Sequence, residues 1–148
     1  MTASPFRHRL RVYWEDTDAG GVVFYANYLK FFERARTEWL RRTGHSQEQL
    51  RTVRGVMFVV SATEVRYLAP ARLDDELEVS VEPRSLGRVG MALAQQAVRL
   101  ATPETPATVV AEGLIRIACV DAGTFRPCRI PTDLLEAVSA LSPAAASA

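Results

Sequence analysis

The sequence predicts an α+β domain in which an antiparallel sheet of about five strands wraps one long helix, with a second, short helix near the C-terminal end. Three observations carry that expectation. An alternating stretch opens the chain, a stretch of helical periodicity follows, and four segments of β character separated by turn residues fill the second half. A lone helix with an aromatic stripe has to bury it, and a sheet of this size offers one face for the purpose.

From Phe6 to Trp14 the chain alternates, with Phe6, His8, Leu10, Val12 and Trp14 on one face and Arg7, Arg9, Arg11 and Tyr13 on the other. This is the pattern of a half-buried strand. An acidic corner follows, EDTDAGGVVFYANY, which sets Glu15, Asp16 and Asp18 ahead of Gly20 and Gly21. From Asn27 to Thr43 the residues Tyr28, Phe32, Ala35 and Trp39 recur at helical spacing, and Leu29 and Leu40 widen the stripe. Lys30, Glu33, Arg34, Glu38 and Arg41 supply the polar face. Gly44 stops the helix, and Arg41 and Arg42 sit where its dipole favours positive charge. Such a helix would be about 25 Å long, enough to cross a sheet.

From Val56 onward the segments MFVVSATEVRYL, ELEVSVE, VGMALAQQAVRLA and TVVAEGLIRIACV read as four strands in antiparallel succession. Pro70, Asp74, Asp75, Gly87 and Pro103 break them apart. Pro131 opens a last helix over Thr132 to Leu141, so residues 1–141 form one domain. The closing SPAAASA, residues 142–148, has little apolar surface and is expected to be a disordered tail.

At 148 residues, 48% hydrophobic and 24% charged, the chain has the size and balance of one globular domain. A formal net charge of +1 gives no broad electrostatic reason to bind nucleic acid. No run approaches the ~18 apolar residues that span a bilayer, and MTASPFRHRL lacks the apolar core of a secretory signal, so the expected location is the cytoplasm. Cys119 and Cys128 are too few for a zinc site and are read as free thiols in a reducing compartment. Neither His8 nor His45 has metal-ligand spacing, and no metal is expected.

The acidic corner admits two readings. Acids and glycines make turns, so it suits a solvated loop; it equally suits a carboxylate aimed at something held by the helix start. Glu15 fits a strand-end charge facing Arg9 or Arg11, and Asp16 fits a short acid bonding turn backbone. Gly20 and Gly21 permit positive φ and let a ligand approach the backbone. A helix beginning near Asn27 offers N–H groups without intrahelical partners and the positive end of its dipole. Asn27 suits a helix cap or a ligand contact, and Tyr25 an aromatic packed at the helix entry or a substrate contact.

The residues EDTDAGGVVFYANYLKFFERARTEWL, followed by VRYLAPARLDDELEV, resemble the hot-dog acyl-CoA thioesterases of the 4-hydroxybenzoyl-CoA thioesterase family. The likeness runs from Arg9 to Pro131 and is strongest to the branch associated with the Tol-Pal cell-envelope system. It implies hydrolysis of acyl-CoA, or acyl-carrier, thioesters with no cofactor beyond the coenzyme A of the substrate. It also implies a homodimer or homotetramer, an acyl carrier protein as a candidate partner, and a cytoplasmic place close to the inner membrane. The family's catalytic carboxylate falls on Asp18, and the helix-start peptide that polarises the thioester carbonyl falls at Tyr25, with Gly21 against the ligand and Asn27 in the opening helix. Ser61 and Thr63 lie in the strand that lines the acyl pocket. Relatives in the Tol-Pal branch often carry His where this chain has Tyr25, a departure that bears on chain length and head group rather than on the reaction class.

Thioester cleavage needs little acid catalysis, because the leaving thiol has a pKa near about 8.5 by analogy with cysteine. One carboxylate and donors aimed at the developing oxyanion are enough. Asp18 could attack the carbonyl or activate a water, and the sequence leaves both open. The phosphates of CoA call for cations, for which Arg84 and Arg88 in the turn PRSLGR are candidates against a reading as solvated surface. Two other functions share the fold. A hydratase calls for a histidine beside the helix start, and neither His8 nor His45 lies between Asp16 and Asn27. A non-catalytic acyl-CoA or acyl-carrier binding module has no use for a carboxylate at Asp18.

Overall fold

A computed structural model of the chain describes residues 5–141, so the tail expected at 142–148 lies outside the described residues. Strand β1 (Phe6–Arg11) leads through the acidic corner to helix α1 (Asn27–Arg42). A short α2 (Gln47–Gln49) and a π turn (Leu50–Arg54) follow, then β2 (Val56–Tyr67), β3 (Glu76–Leu86), β4 (Gly90–Arg99), β5 (Thr108–Asp121) and α3 (Thr132–Leu141). The strands form one antiparallel sheet in the order β1-β3-β4-β5-β2. Phe31, Phe32, Ala35 and Trp39 of α1 share the core with Leu77, Val79, Val81, Leu93 and Ile115 of the sheet. This is the hot-dog arrangement that the sequence predicts.

The order corrects the expected succession of neighbouring strands. β2 pairs with β5, Val56 opposite Asp121, while β3 takes β1 as its outer partner, Phe6 opposite Val81. The helix explains this: its 16 residues span about 24 Å, against about 19 Å for four gaps between strands. It carries the chain from the β1 edge to the far edge, where β2 begins. The register also corrects the partner expected for Glu15. Arg11 stands opposite Glu76 and Arg9 opposite Glu78, and these pairs close at 2.8 and 3.1 Å.

The alternation of β1 holds as far as Val12, which is fully buried, but Trp14 is 83% exposed. Beyond Val12 the chain leaves the sheet into a 3-10 turn, Trp14–Asp16, and the period of two ends with the ladder. On α1, Leu29 is 42% exposed rather than part of the stripe, and Phe31 is fully buried in its place. The helix stops as its sequence requires: Gly44 adopts φ +88°, and its N–H donates to the Arg41 carbonyl at 2.9 Å.

One polar group fixes α1 to the sheet. Gln95 of β4 is buried, and its amide donates to the Phe32 carbonyl at 3.0 Å and the Ser80 carbonyl at 3.3 Å. Its oxygen accepts from the Arg36 guanidinium at 3.0 Å, and burial holds that guanidinium below its ordinary pKa. Gly113, the register partner of Gln95 on β5, gives the Phe32 ring its place; a Cβ there would lie 3.3 Å from the ring.

Candidate active site

The corner between β1 and α1 is organised around Asp16, which is 3% exposed. One carboxylate oxygen accepts from the Tyr13 N–H at 2.8 Å, the other from the Asn27 side-chain amide at 2.7 Å. The Asp16 carbonyl accepts from the Phe24 N–H at 2.9 Å. Asp16 therefore bonds turn backbone, and it also ties the end of β1 to the first residue of the helix. Asn27 stands one place past the cap position, which Ala26 occupies, and its amide is committed to Asp16; the cap reading of Asn27 does not hold.

Two residues on, Asp18 is exposed. Its N–H donates to the Val22 carbonyl at 2.9 Å and its carbonyl accepts from the Gly21 N–H at 3.0 Å, closing a tight turn. Gly21 sits at φ +79°, the left-handed region where a side chain is strained. Asp18 Oδ1 accepts from the Gly20 N–H at 2.8 Å, whereas Oδ2 has no partner among the described residues. The turn is zipped shut by a bridge from Thr17 to Val23 and another from Val22 to Arg72, and the Val23 N–H donates to the Ala71 carbonyl at 2.8 Å.

The start of α1 carries no side-chain cap and no acid in its first turn. Among the described residues none accepts from the N–H of Tyr25 or Ala26. These free donors stand at the positive end of the helix. The Tyr25 side chain is 63% exposed, edge-on to Phe24 at 4.9 Å and to Tyr67 at 6.1 Å between ring centroids. Tyr28 is buried beneath it, and burial raises its phenol above the ordinary value. An open, largely apolar groove of about 350 Å³ runs past these rings, lined by Val23, Tyr25, Tyr28, Tyr67, Ala69 and Pro70.

The corner thus brings together Asp18, Gly21, Tyr25 and Asn27, and leaves the other candidates apart. Ser61 occupies a bulge of β2 between Val60 and Ala62, its hydroxyl donating to the Arg116 carbonyl at 3.3 Å. Thr63 is exposed two residues on. Both lie on a strand whose outer edge pairs with no strand among the described residues. Arg84 is not in a turn, because β3 runs on through a bulge at Pro83 to Ser85 and ends at Leu86. It pairs with Glu82 at 3.2 Å. Arg88 does lie in the turn, exposed. Sequence reasoning missed Tyr67 as a wall of the groove and the bond from Asn27 to Asp16; the one available signal for the latter was that the two residues bracket the corner.

Residues 12–138 match the thioesterase-like superfamily. An acyl-CoA thioester hydrolase, YbgC, of Escherichia coli is 42% identical over 135 residues, covering 91% of this chain and 96% of that one. An acyl-CoA thioesterase YbgC of Haemophilus influenzae is 39% identical over 134 residues, with 90% and 94% covered. Among solved structures, a probable thioesterase from Bartonella henselae superimposes with a TM-score of 0.79 at 30% identity, covering 86% of this chain and all of that one. A 1,4-dihydroxy-2-naphthoyl-CoA thioesterase from Synechocystis shares the fold, with a TM-score of 0.83 at 20% identity over 93% of this chain and 98% of that one.

Proposed function

The chain belongs to the thioesterase-like superfamily, and on that premise we propose that it hydrolyses acyl-CoA thioesters, with Asp18 as the base or nucleophile and the start of α1 as the oxyanion site. The observation that carries this reading is the pairing, on one hydrogen-bonded corner, of a carboxylate with a free oxygen and a helix start whose leading N–H groups have no acceptor among the described residues. The names of the Escherichia coli and Haemophilus influenzae relatives support the substrate class.

In this mechanism Asp18 takes a proton from water as the water oxygen bonds to the thioester carbon, or bonds to that carbon itself and is released by water in a second step. The carbonyl oxygen takes up the electron pair and is held by the N–H groups at Tyr25 and Ala26. Collapse of the intermediate breaks the C–S bond and expels the thiolate, which needs no strong acid. Gly21 leaves room for the acyl group, and the groove beside Tyr25 and Tyr67 receives apolar substrate. Arg88 lies past the far end of β3 from the corner and would reach a CoA phosphate only from a second copy; Arg84 serves less well because Glu82 already neutralises it. The same corner would accept a thioester presented by an acyl carrier protein.

Ser61 and Thr63 reach an acyl group only across copies, since both lie on the unpaired edge of β2. Pairing of that edge with a second copy would complete the site and make the active form a dimer, or a tetramer built from dimers. Sedimentation at micromolar concentration is expected to show no substantial monomer, and an active monomer would refute this part. Among the described residues no helix is long and apolar enough to cross a membrane. The likeness to the Tol-Pal branch supports a place on the cytoplasmic side of the inner membrane.

The test is thiol release from a panel of short aliphatic, long aliphatic and aromatic CoA thioesters. Wild type should release thiol, and Asp18→Asn should lose at least about a hundredfold in turnover with its fold intact. Substrates that bind and stay whole would make the protein a binding module, and near-normal turnover in the variant would move the base elsewhere.

A further inference from the structure

The two cysteines lie apart from the corner just described, and their placement has a chemistry of its own. After β5 the chain turns back on itself: the Asp121 N–H donates to the Arg126 carbonyl at 2.8 Å and the Cys128 N–H to the Cys119 carbonyl at 3.0 Å. Val120 and Pro127 form a bridge between these two bonds. Cys119 and Cys128 are thereby directly opposite one another in an antiparallel ladder. Facing residues of an antiparallel pair have Cα atoms about 4.5–5.5 Å apart, inside the range of about 4.4–6.8 Å found across disulfides. The Sγ atoms lie 3.6 Å apart, with both thiols free.

We propose that Cys119 and Cys128 form an oxidisable dithiol, a covalent modification site that takes a two-electron oxidant of the peroxide or small-molecule disulfide class and closes to an intramolecular disulfide. The two thiols divide the work by their surroundings. Cys128 is half-buried and reachable, whereas Cys119 is fully buried. Burial and the neighbouring Cys128 push the Cys119 thiol up to about 12, so it waits as a protonated partner. With peroxide, the Cys128 sulfur attacks one oxygen, the O–O bond breaks, and a sulfenic acid and one water result. The Cys119 sulfur then attacks the Cys128 sulfur, the S–O bond breaks, and the departing hydroxide takes the Cys119 proton as a second water. Two thiols are oxidised by two electrons and the peroxide is reduced to two waters. Bringing 3.6 Å down to a bonded ~2.05 Å asks for side-chain rotation rather than movement of the ladder.

The link would fasten more than two residues. The Cys119 N–H donates to the Val89 carbonyl at 2.7 Å, and the Ile130 N–H to the Arg88 carbonyl at 2.8 Å. Strand β5, the returning segment that leads to α3, and the turn carrying Arg88 would all be held by one crosslink. This inference stands whether or not the chain hydrolyses thioesters.

The test treats the full chain with hydrogen peroxide or glutathione disulfide and measures intact mass and a non-reducing peptide map. The expected product has lost two hydrogens, has no free thiol, stays the size of the untreated protein and joins the peptides of Cys119 and Cys128. Hydrogen exchange at Cys128 to Ile130 should slow, and dithiothreitol should restore both. Cys119→Ser should convert Cys128 to a glutathione adduct instead, while Cys128→Ser should leave Cys119 unmodified in the folded chain. A wild-type product with Cys128 sulfonic acid, a mixed disulfide or a crosslink between chains, and no intramolecular link, would overturn the proposal.

Discussion

The side-chain amide of Asn27 donates to the buried carboxylate of Asp16 across 2.7 Å, joining the first residue of the central helix to the loop that presents Asp18. Two roles follow for this pair. It orients the turn that carries Asp18 relative to the helix start, and it compensates a carboxylate taken out of water. Replacing Asn27 by Ala should therefore destabilise the fold by about 1–3 kcal/mol, the range for leaving a buried polar group short of a partner. Turnover should fall while KM changes little. Denaturant unfolding together with steady-state kinetics checks this, and a variant as stable and active as wild type would remove the pair from the design.

Tyr25 offers a sharper test of the proposed oxyanion site. Its phenol is exposed and has no partner among the described residues, whereas its N–H is free at the head of α1. Tyr25→Phe keeps the peptide and the edge-on packing with Tyr67, so turnover should stay within about tenfold of wild type. A fall on the order of a hundredfold, with fold and assembly unchanged, would mean that the hydroxyl is itself an oxyanion donor.

Gln95 should behave as a hub rather than a filler. Gln95→Leu leaves the Arg36 guanidinium without its acceptor and the Ser80 carbonyl without that donor, and should destabilise by about 1–3 kcal/mol. Adding Arg36→Met should recover part of the loss, since the stranded charge is gone. Equal, additive losses in the double-mutant cycle would show that the two side chains are not coupled.

Asp133 gives the protein an acid-side dependence. Arg54 grips its carboxylate at 2.9 and 3.1 Å and His45 approaches at 3.3 Å, which holds the carboxyl well below the usual range. A folded-state pKa below the unfolded one contributes stability above the unfolded value, about 3.9, and that contribution fades as pH falls through the folded value. Asp133→Asn should thus be less stable than wild type at neutral pH, by a small margin because the pair is exposed. Thermal unfolding across a pH series should show the gap closing below about pH 4. A gap that persists unchanged into strong acid would rule out the ion pair as its source.

Most of the fold was legible because its elements are periodic. Tyr28, Phe32, Ala35 and Trp39 mark the buried face of α1, and the β-branched runs mark four strands. Strand order was not legible, since periodicity says which face is buried and nothing about which edge receives a neighbour. The end of β3 was misplaced for a related reason: ELEVSVE stops at Glu82 before the expected turn PRSLGR, yet a bulge between Pro83 and Ser85 lets the strand continue to Leu86. Helix α2 went unpredicted although Ser46 precedes it as a cap, its hydroxyl accepting from the Gln49 N–H at 3.1 Å. At the corner, residue type marked a cluster of acids and two glycines, and it was the resemblance that singled out Asp18 among them. The bond between Asp16 and Asn27 joins positions 11 apart in the chain and exists only once the loop has folded.

The contact between Phe32 and Gly113 would serve as a pivot for any tilt of α1. Ring and carbonyl of Phe32 are held at one point of the sheet, the ring against a missing side chain and the carbonyl by Gln95. Five residues ahead, the first turn is a lever of about 7.5 Å that ends at the acidic corner. We expect displacement of that turn during substrate entry or product release to be a tilt about Phe32 rather than a slide along the sheet. A methyl group added by Gly113→Ala would raise the fulcrum and swing the free N–H groups of Tyr25 and Ala26 relative to Asp18, so its signature would be a change in turnover from a substitution made at the opposite end of the lever.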